Sequence, residues 1–130
     1  IRRFLPCEIL ELRESARRKP QQEAASESAQ ARALLALLQE SEYSVLLDVG
    51  GKELDSAGVA SFLESRIHQG LRRVDFFCAG PWGWPPSIRD RADARWSLSR
   101  LTLPHELARV LLGEQLFRAL ARLNHFPYDK

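Results

Sequence analysis

Tyr43 to Val49 reads YSVLLDV, and Gly50-Gly51-Lys52 follow directly. A short continuous apolar run closed by glycines is the pattern of a strand buried on both faces rather than of one that faces water. The reading is a buried strand over Tyr43 to Val49 that ends at the glycine pair.

The segments on either side repeat the same theme. Upstream, Ala24 to Glu40 is rich in alanine and leucine, with Ala33, Leu34, Leu37 and Leu38 at helical spacing, so it reads as an amphipathic helix. Before it, Arg13 to Gln22 is polar, basic and broken by Pro20, a loop, and Cys7 to Leu12 alternates apolar and acidic residues as a half-buried strand does. Downstream, Asp55 or Ser56 can cap a helix through Gln69, with Gly70 ending it. Val74 to Ala79 is a second buried strand broken by Gly80-Pro81, Pro86 to Ala94 a short helix, and Arg95 to Leu101 a further strand. Pro104 falls at the first position of a long final helix, where proline is well tolerated. That helix runs to about Leu123, Asn124 can take the left-handed terminating conformation, and Pro127 forbids continuation. Strand and helix alternate throughout, which predicts an α/β domain with a mostly parallel sheet flanked by helices.

Composition narrows the class. At 130 residues the chain supports a single domain, residues 1–130, and its 45% hydrophobic and 28% charged residues are those of a globular protein. The net charge of +2 gives no global basic field. Cys7 and Cys78 lack metal-ligand spacing and read as reduced thiols of a cytoplasmic protein, with no metal site. No apolar run approaches the roughly 20 residues that span a bilayer, so no membrane partner is expected. Methionine is absent, even at position 1, so the chain is expected to begin partway into an element.

Ligands of parallel α/β sheets bind beyond the carboxyl ends of the strands. Three segments fall there: Asp48 to Lys52, Ala79 to Gly83, and Ser97 to Pro104. None is a phosphate motif, since neither GxGxxG nor GxxxxGK[ST] occurs. Their glycines read equally as tight turns or as places where backbone approaches a ligand.

GPWG (Gly80 to Gly83), WSLSRLTLPHELARVLLGEQLFRA (Trp96 to Ala119) and NHFPY (Asn124 to Tyr128) closely resemble the RlmH family. That family comprises SPOUT-class methyltransferases acting on the N3 atom of a pseudouridine in bacterial large-subunit ribosomal RNA. The likeness extends more loosely through LLDVGGK (Leu46 to Lys52) and RRF (Arg2 to Phe4) and so covers nearly the whole chain. It implies a parallel-sheet domain with a deep C-terminal trefoil knot, S-adenosyl-L-methionine as cofactor, a homodimer, a cytoplasmic location, and ribosomal RNA in the large subunit or whole ribosome as partner. It also implies a first strand and part of a first helix ahead of Ile1.

Carried over position by position, the resemblance assigns Leu47 to the wall of the adenosyl pocket. Gly80 becomes the second glycine of a Gly-Gly-Pro turn, with Ala79 in place of the first. Leu98, Ser99, Arg100, Leu101, Thr102 and Leu103 become the knot loop around the cofactor. Core packing is the competing reading for Leu47, Leu101 and Leu103. His105, at the helix start, and Tyr128, in the tail, are the candidates for a catalytic role facing the substrate. Each has a plainer alternative, a helix-terminal polar residue and a packed tail anchor. Arg109, one turn beyond His105, reads as a phosphate contact or a solvated residue. Arg17, Arg18 and Lys19 are the other candidate RNA contacts. His68 and His125 read as structural. The sequence departs from the family pattern at Trp82 and at Asp129, where the pattern has histidine; Lys130 keeps the final charge. Two other functions remain open, a catalytically inactive ribosome-binding module of this family and an α/β domain for another adenine nucleotide.

Overall fold

Val45 and Leu46 are fully buried and Leu47 nearly so, which places the apolar run at the centre of the sheet as expected. The computed structural model describes residues 5–7, 32–78 and 84–128. The expected first strand, apart from Cys7, the basic loop with Arg17, Arg18 and Lys19, the turn at residues 79–83 with Gly80, and residues 129–130 lie outside the described residues.

The described elements alternate as the sequence predicts. Helix α1 covers residues 32–40, within the expected Ala24 to Glu40. Then follow β1 (Ser44–Glu53), α2 (Ser56–His68), β2 (Asp75–Cys78), α3 (Pro86–Arg89), β3 (Ala94–Ser97) and α4 (His105–Leu123). Among the described residues the sheet has the order β2-β1-β3, and both pairings are parallel.

The side-chain alternation of β1 builds two cores. Val45 and Leu47 face Val59, Ala60 and Leu63 of α2 and Leu112, Ala119 and Leu120 of α4, with Trp96 of β3 between them. Leu46 points the other way, to Leu38 of α1 and Ile88 of α3, with Phe77 and Trp84 beside them. Both faces of the parallel sheet are therefore covered, which is why the run needs no polar alternation. Trp96 is the hub of the larger core, with Phe62 edge-on at 4.7 Å and Phe76 at 5.3 Å between ring centroids.

Local chemistry closes the N-terminal ends of the strands. The Asp93 carboxylate accepts from the Ser44 N–H at 2.8 Å and from its hydroxyl at 3.1 Å. Glu42 accepts from the backbone N–H groups of Arg72 and Arg73 at 2.8 and 3.1 Å. The Ser41 hydroxyl donates to Asp75, which also pairs with Arg73 at 2.7 Å. Asp93 and Glu42 thus occupy backbone donors at that end of the sheet.

Helix α2 begins as expected, with the Asp55 carboxylate accepting from the Gly58 N–H at 2.7 Å. Ser56, the other candidate cap, instead donates to Gln115 of α4 at 2.7 Å. Gly70 turns the chain after α2 at φ +79°, a backbone conformation glycine adopts without penalty.

Several boundaries differ from the sequence reading. Strand β1 does not stop at Gly50-Gly51 but continues to Glu53, with a register shift against β3 between Leu47 and Lys52. Gly51 makes this possible: a Cβ there would lie 2.7 Å from the carbonyl carbon and oxygen of Arg95. Strand β3 ends at Ser97 rather than Leu101, because serine hydroxyls take over the hydrogen bonding of the chain beyond it. Helix α3 is a single turn ending at Arg89, which frees Asp93 to bind Ser44. At the end of α4, Asn124 is not left-handed (φ −99°) but returns its side-chain amide to the Leu120 carbonyl at 2.8 Å, and His125 takes the positive φ of 55° instead. Pro104, for its part, caps α4 from just outside, so that His105 is the first helical residue.

Candidate active site

β2 ends at Cys78 and β3 at Ser97, and beside Cys78 and Trp96 stands Leu47, the last residue of β1 before its register against β3 shifts. Leu47 stands opposite Cys78 on one side and Trp96 on the other. Its side chain belongs to the larger core, against which Leu98 and Cys78 also pack. Leu47 and the first residue of the 98–103 loop thus share one core. The Leu47 carbonyl accepts the indole N–H of Trp84 at 2.8 Å.

The loop from Leu98 to Leu103 is shaped by its own hydroxyls. Ser97 donates to the Ser99 carbonyl at 2.8 Å, and the Ser99 hydroxyl accepts from the Leu101 N–H at 3.0 Å. Arg100 is tied by its Nε to Glu53 of β1 at 2.8 Å, and Arg95 reaches Asp48 of β1 at 3.3 Å. Two ion pairs from β1, one on either side of its glycines, therefore hold β3 and the loop. Leu98, Ser99 and Leu103 are half-buried, while Arg100, Leu101 and Thr102 are exposed. Leu101 is 71% exposed, a large apolar side chain without cover beside irregular backbone. An apolar wall with nearby backbone donors and acceptors is the surface an adenosyl group needs.

Helix α4 leaves this loop at Pro104. His105 and Arg109 are exposed on its first turns. Arg109 lies toward the end of β2: its charge lowers the Cys78 thiol pKa, against a larger effect of burial, and the net result is a raised value. His105, Arg109, Cys78 and the loop thus gather at one end of the sheet.

Tyr128 does not join them within one chain. The Phe126 N–H bonds back to the Ala121 carbonyl at 2.8 Å, and the tail folds along α4. The Tyr128 ring then sits edge-on to Phe117 at 4.7 Å, with its hydroxyl 3.3 Å from Glu114 and the Arg118 guanidinium 5.2 Å from the ring centre. At 1.5 Å per residue, Glu114 is about 13 Å along the helix axis from His105. Of the residues read as structural, His68 closes α2, exposed, and His125 makes the left-handed turn into the tail. Sequence reasoning did not find Trp84, Glu53 or Glu114. The partners of Trp84 and Glu53 are distant in the chain, and only a Trp between Gly83 and Pro85 hinted at an anchored turn.

Among the described residues no group of His, Cys, Asp and Glu could hold a metal ion, and no helix is long and apolar enough to cross a membrane.

An α/β sheet whose strand ends carry an exposed irregular loop is the frame of a ligand-binding domain of this type, and the chain belongs to the SPOUT methyltransferase family, matching the family described as "Predicted SPOUT methyltransferase" over residues 1–129. Its relatives include proteins named Ribosomal RNA large subunit methyltransferase H. One from Porphyromonas gingivalis is 40% identical over 100 residues, 77% of this chain and 64% of that protein. One from Stenotrophomonas maltophilia is 37% identical over 127 residues, 98% of this chain and 81% of that protein. One from Ectopseudomonas mendocina is 40% identical over 126 residues, 97% of this chain and 81% of that protein. The chain thus spans just under two thirds of the first of these relatives and about four fifths of the other two.

Proposed function

We propose that the protein methylates ribosomal RNA of the large subunit, at the N3 atom of a pseudouridine, with S-adenosyl-L-methionine as methyl donor. The observation that carries this reading is the exposed, hydroxyl-shaped loop from Leu98 to Leu103 at the carboxyl end of a parallel sheet, in a chain of the SPOUT methyltransferase family whose relatives are named for ribosomal RNA methylation. Leu47, Gly80 and Leu98 to Leu103 are the residues that would hold the donor, with Leu101 and Leu103 lining the adenosyl group and loop backbone reading its edge. The donor, when bound, supplies a methyl group already activated on a sulfonium.

The protein's own work is then to orient the target base and accept a proton from its N3. Orientation supplies much of the acceleration. A general base adds about 10²- to 10⁴-fold, and we assign that role to His105, exposed at the start of the helix that follows the loop. Arg109 beside it, with Arg17, Arg18 and Lys19, serves the phosphates. Ribosomes make the cytoplasm the place of work.

The reading includes the family's C-terminal knot, formed by the loop and α4, and a homodimer through α4. Leu107 and Val110 are 52% and 65% exposed on one stripe of that helix, and a Cβ on Gly113 would meet nothing. The same stripe continues to Phe117, where Tyr128 docks. Packing two copies on this stripe brings Tyr128 of the partner subunit to the His105 end, where its ring can stack on an extruded base for about 1–3 kcal/mol.

Calorimetry with S-adenosylmethionine and with ATP tests the donor class. Binding of the first and not the second is expected. Binding of ATP alone assigns the fold to another adenine nucleotide and sinks the reading. Donor binding without methyl transfer to ribosomes would leave the inactive ribosome-binding module.

A further inference from the structure

Trp84 makes two kinds of contact. Its ring packs with Leu38, Leu46 and Ile88 and lies edge-on to Phe77, 6.5 Å between centroids at 83°. Its Nε1–H crosses to β1 and donates to the Leu47 carbonyl at 2.8 Å. Leu47 is the last residue at which β1 keeps its regular register with both neighbours. Past it the register against β3 shifts, and the next residue paired with Trp96 is Lys52. Ladders are locally disrupted at such shifts, and a carbonyl there needs a donor from elsewhere.

Packing alone would not need this nitrogen. A phenylalanine or leucine could fill the space between Phe77 and Ile88, but neither could donate to Leu47. The aromatic cluster fixes the ring, and the ring in turn fixes one backbone atom at the register shift of β1.

We propose that Trp84 is a positioning residue for the methyl-donor pocket, holding the Leu47 carbonyl, and with it β1 at the point where its register against β3 shifts, in the conformation that receives the donor. The proposal rests on the placement of the donor against Leu47 argued above. Trp84 acts through Leu47 and touches no reacting atom.

The test compares Trp84→Phe, which keeps an aromatic ring and loses the N–H, with Ile88→Val, which trims the same cluster and leaves the hydrogen bond alone. S-adenosylmethionine affinity is read by calorimetry, and kcat and KM for the donor by methyl transfer. Trp84→Phe weakens donor binding about three- to tenfold, the range for one lost hydrogen bond. Its donor KM rises in parallel, and kcat at saturating donor stays within about twofold. Ile88→Val lowers stability and leaves donor affinity unchanged. Wild-type affinity in folded Trp84→Phe, or an equal loss in Ile88→Val, overturns the proposal. Replacement of Trp84 by 3-benzothienylalanine, which keeps the bicyclic shape and puts sulfur in place of the N–H, decides the matter if Trp84→Phe fails to fold: the same loss supports the proposal and full affinity overturns it. If the wild-type protein binds no S-adenosylmethionine, the donor reading falls and this proposal with it. Equal binding by wild type and Trp84→Phe removes this proposal alone.

Discussion

The guanidinium of Arg100 lies 2.8 Å from the carboxylate of Glu53, so the loop after β3 is tied to the far end of β1. Both side chains are exposed, and such pairs contribute little to stability. The effect belongs to the shape of the loop. Glu53→Gln is expected to leave the unfolding midpoint almost unchanged and to weaken donor binding by less than about fivefold at low salt. Because exposed charges are screened, wild type and variant should converge at about 1 M salt. Titrations at the two ionic strengths check this, and a difference that persists in high salt would assign Glu53 another role.

Gly51 leaves no room for a side chain against β3, and its substitution is expected to be costly. A Cβ would press against backbone atoms of Arg95 and Trp96, which cannot swing aside as a side chain does. Gly51→Ala should lose about 1–3 kcal/mol in chemical denaturation, the range for an overpacked site. Gly50→Ala is the control. Its Cβ would meet only Asp48, at 4.0 Å, and stability should stay within about 0.5 kcal/mol of wild type.

These two glycines mark the limit of what the sequence discloses. Gly50 and Gly51 looked alike as the end of a strand, yet the strand runs through both, and only the approach of β3 distinguishes them. The central strand, α2 with its Asp55 cap, and α4 were legible because each rests on local periodicity or a local cap. The short ends of α3 and β3 were not. They are decided by Asp93 bonding Ser44 and by hydroxyls bonding backbone, and a distant acceptor leaves no mark on a local pattern. The loop from Leu98 to Leu103 was singled out through its likeness to a family, and Leu47, assigned by that likeness to a pocket wall, has its side chain in the larger core, as its composition also suggested. Trp84 and Glu53 were missed because their roles exist only once distant segments meet.

Cys78 carries a pH-dependent prediction. Burial raises its thiol pKa above the ordinary 9.0 despite the opposing charge of Arg109. A thiol with a raised folded-state pKa contributes its full share of stability below the unfolded value. That share is lost as pH rises from about 9 through the folded value. Cys78→Ala should therefore flatten the alkaline limb of the stability profile above pH 9, whatever it costs in packing at neutral pH. Denaturation curves between neutral and alkaline pH check the slope, and an unchanged slope would contradict the assignment.

The α4 stripe predicts the assembly. Val110→Asp places a charge amid exposed apolar surface and should be silent in a monomer. In a dimer packed on that stripe it buries an unpaired carboxylate and should dissociate the copies. Light scattering at micromolar concentration is expected to show a dimer for wild type and a monomer for Val110→Asp. A monomeric wild type would remove the dimer from the account.

Tyr128 separates packing from catalysis. Tyr128→Phe keeps the contact with Phe117 and loses only the hydroxyl near Glu114, so it should retain donor binding and much of the activity. Tyr128→Ala is expected to cut methyl transfer by about tenfold or more, the loss of one stacked base, with donor affinity nearly intact. Asp129→His should preserve or raise activity. Full activity in Tyr128→Ala would reduce the tail to a packing element and leave the chemistry to His105.

The central claim is tested most directly by methyl transfer itself. Purified protein is incubated with tritiated S-adenosylmethionine and ribosomes that lack the modification, and the labelled nucleotide is then mapped. The account predicts labelling of the large-subunit RNA at N3 of a single pseudouridine, lost in His105→Ala. Donor binding in calorimetry with no label in the RNA, or label at an unrelated base, would contradict it.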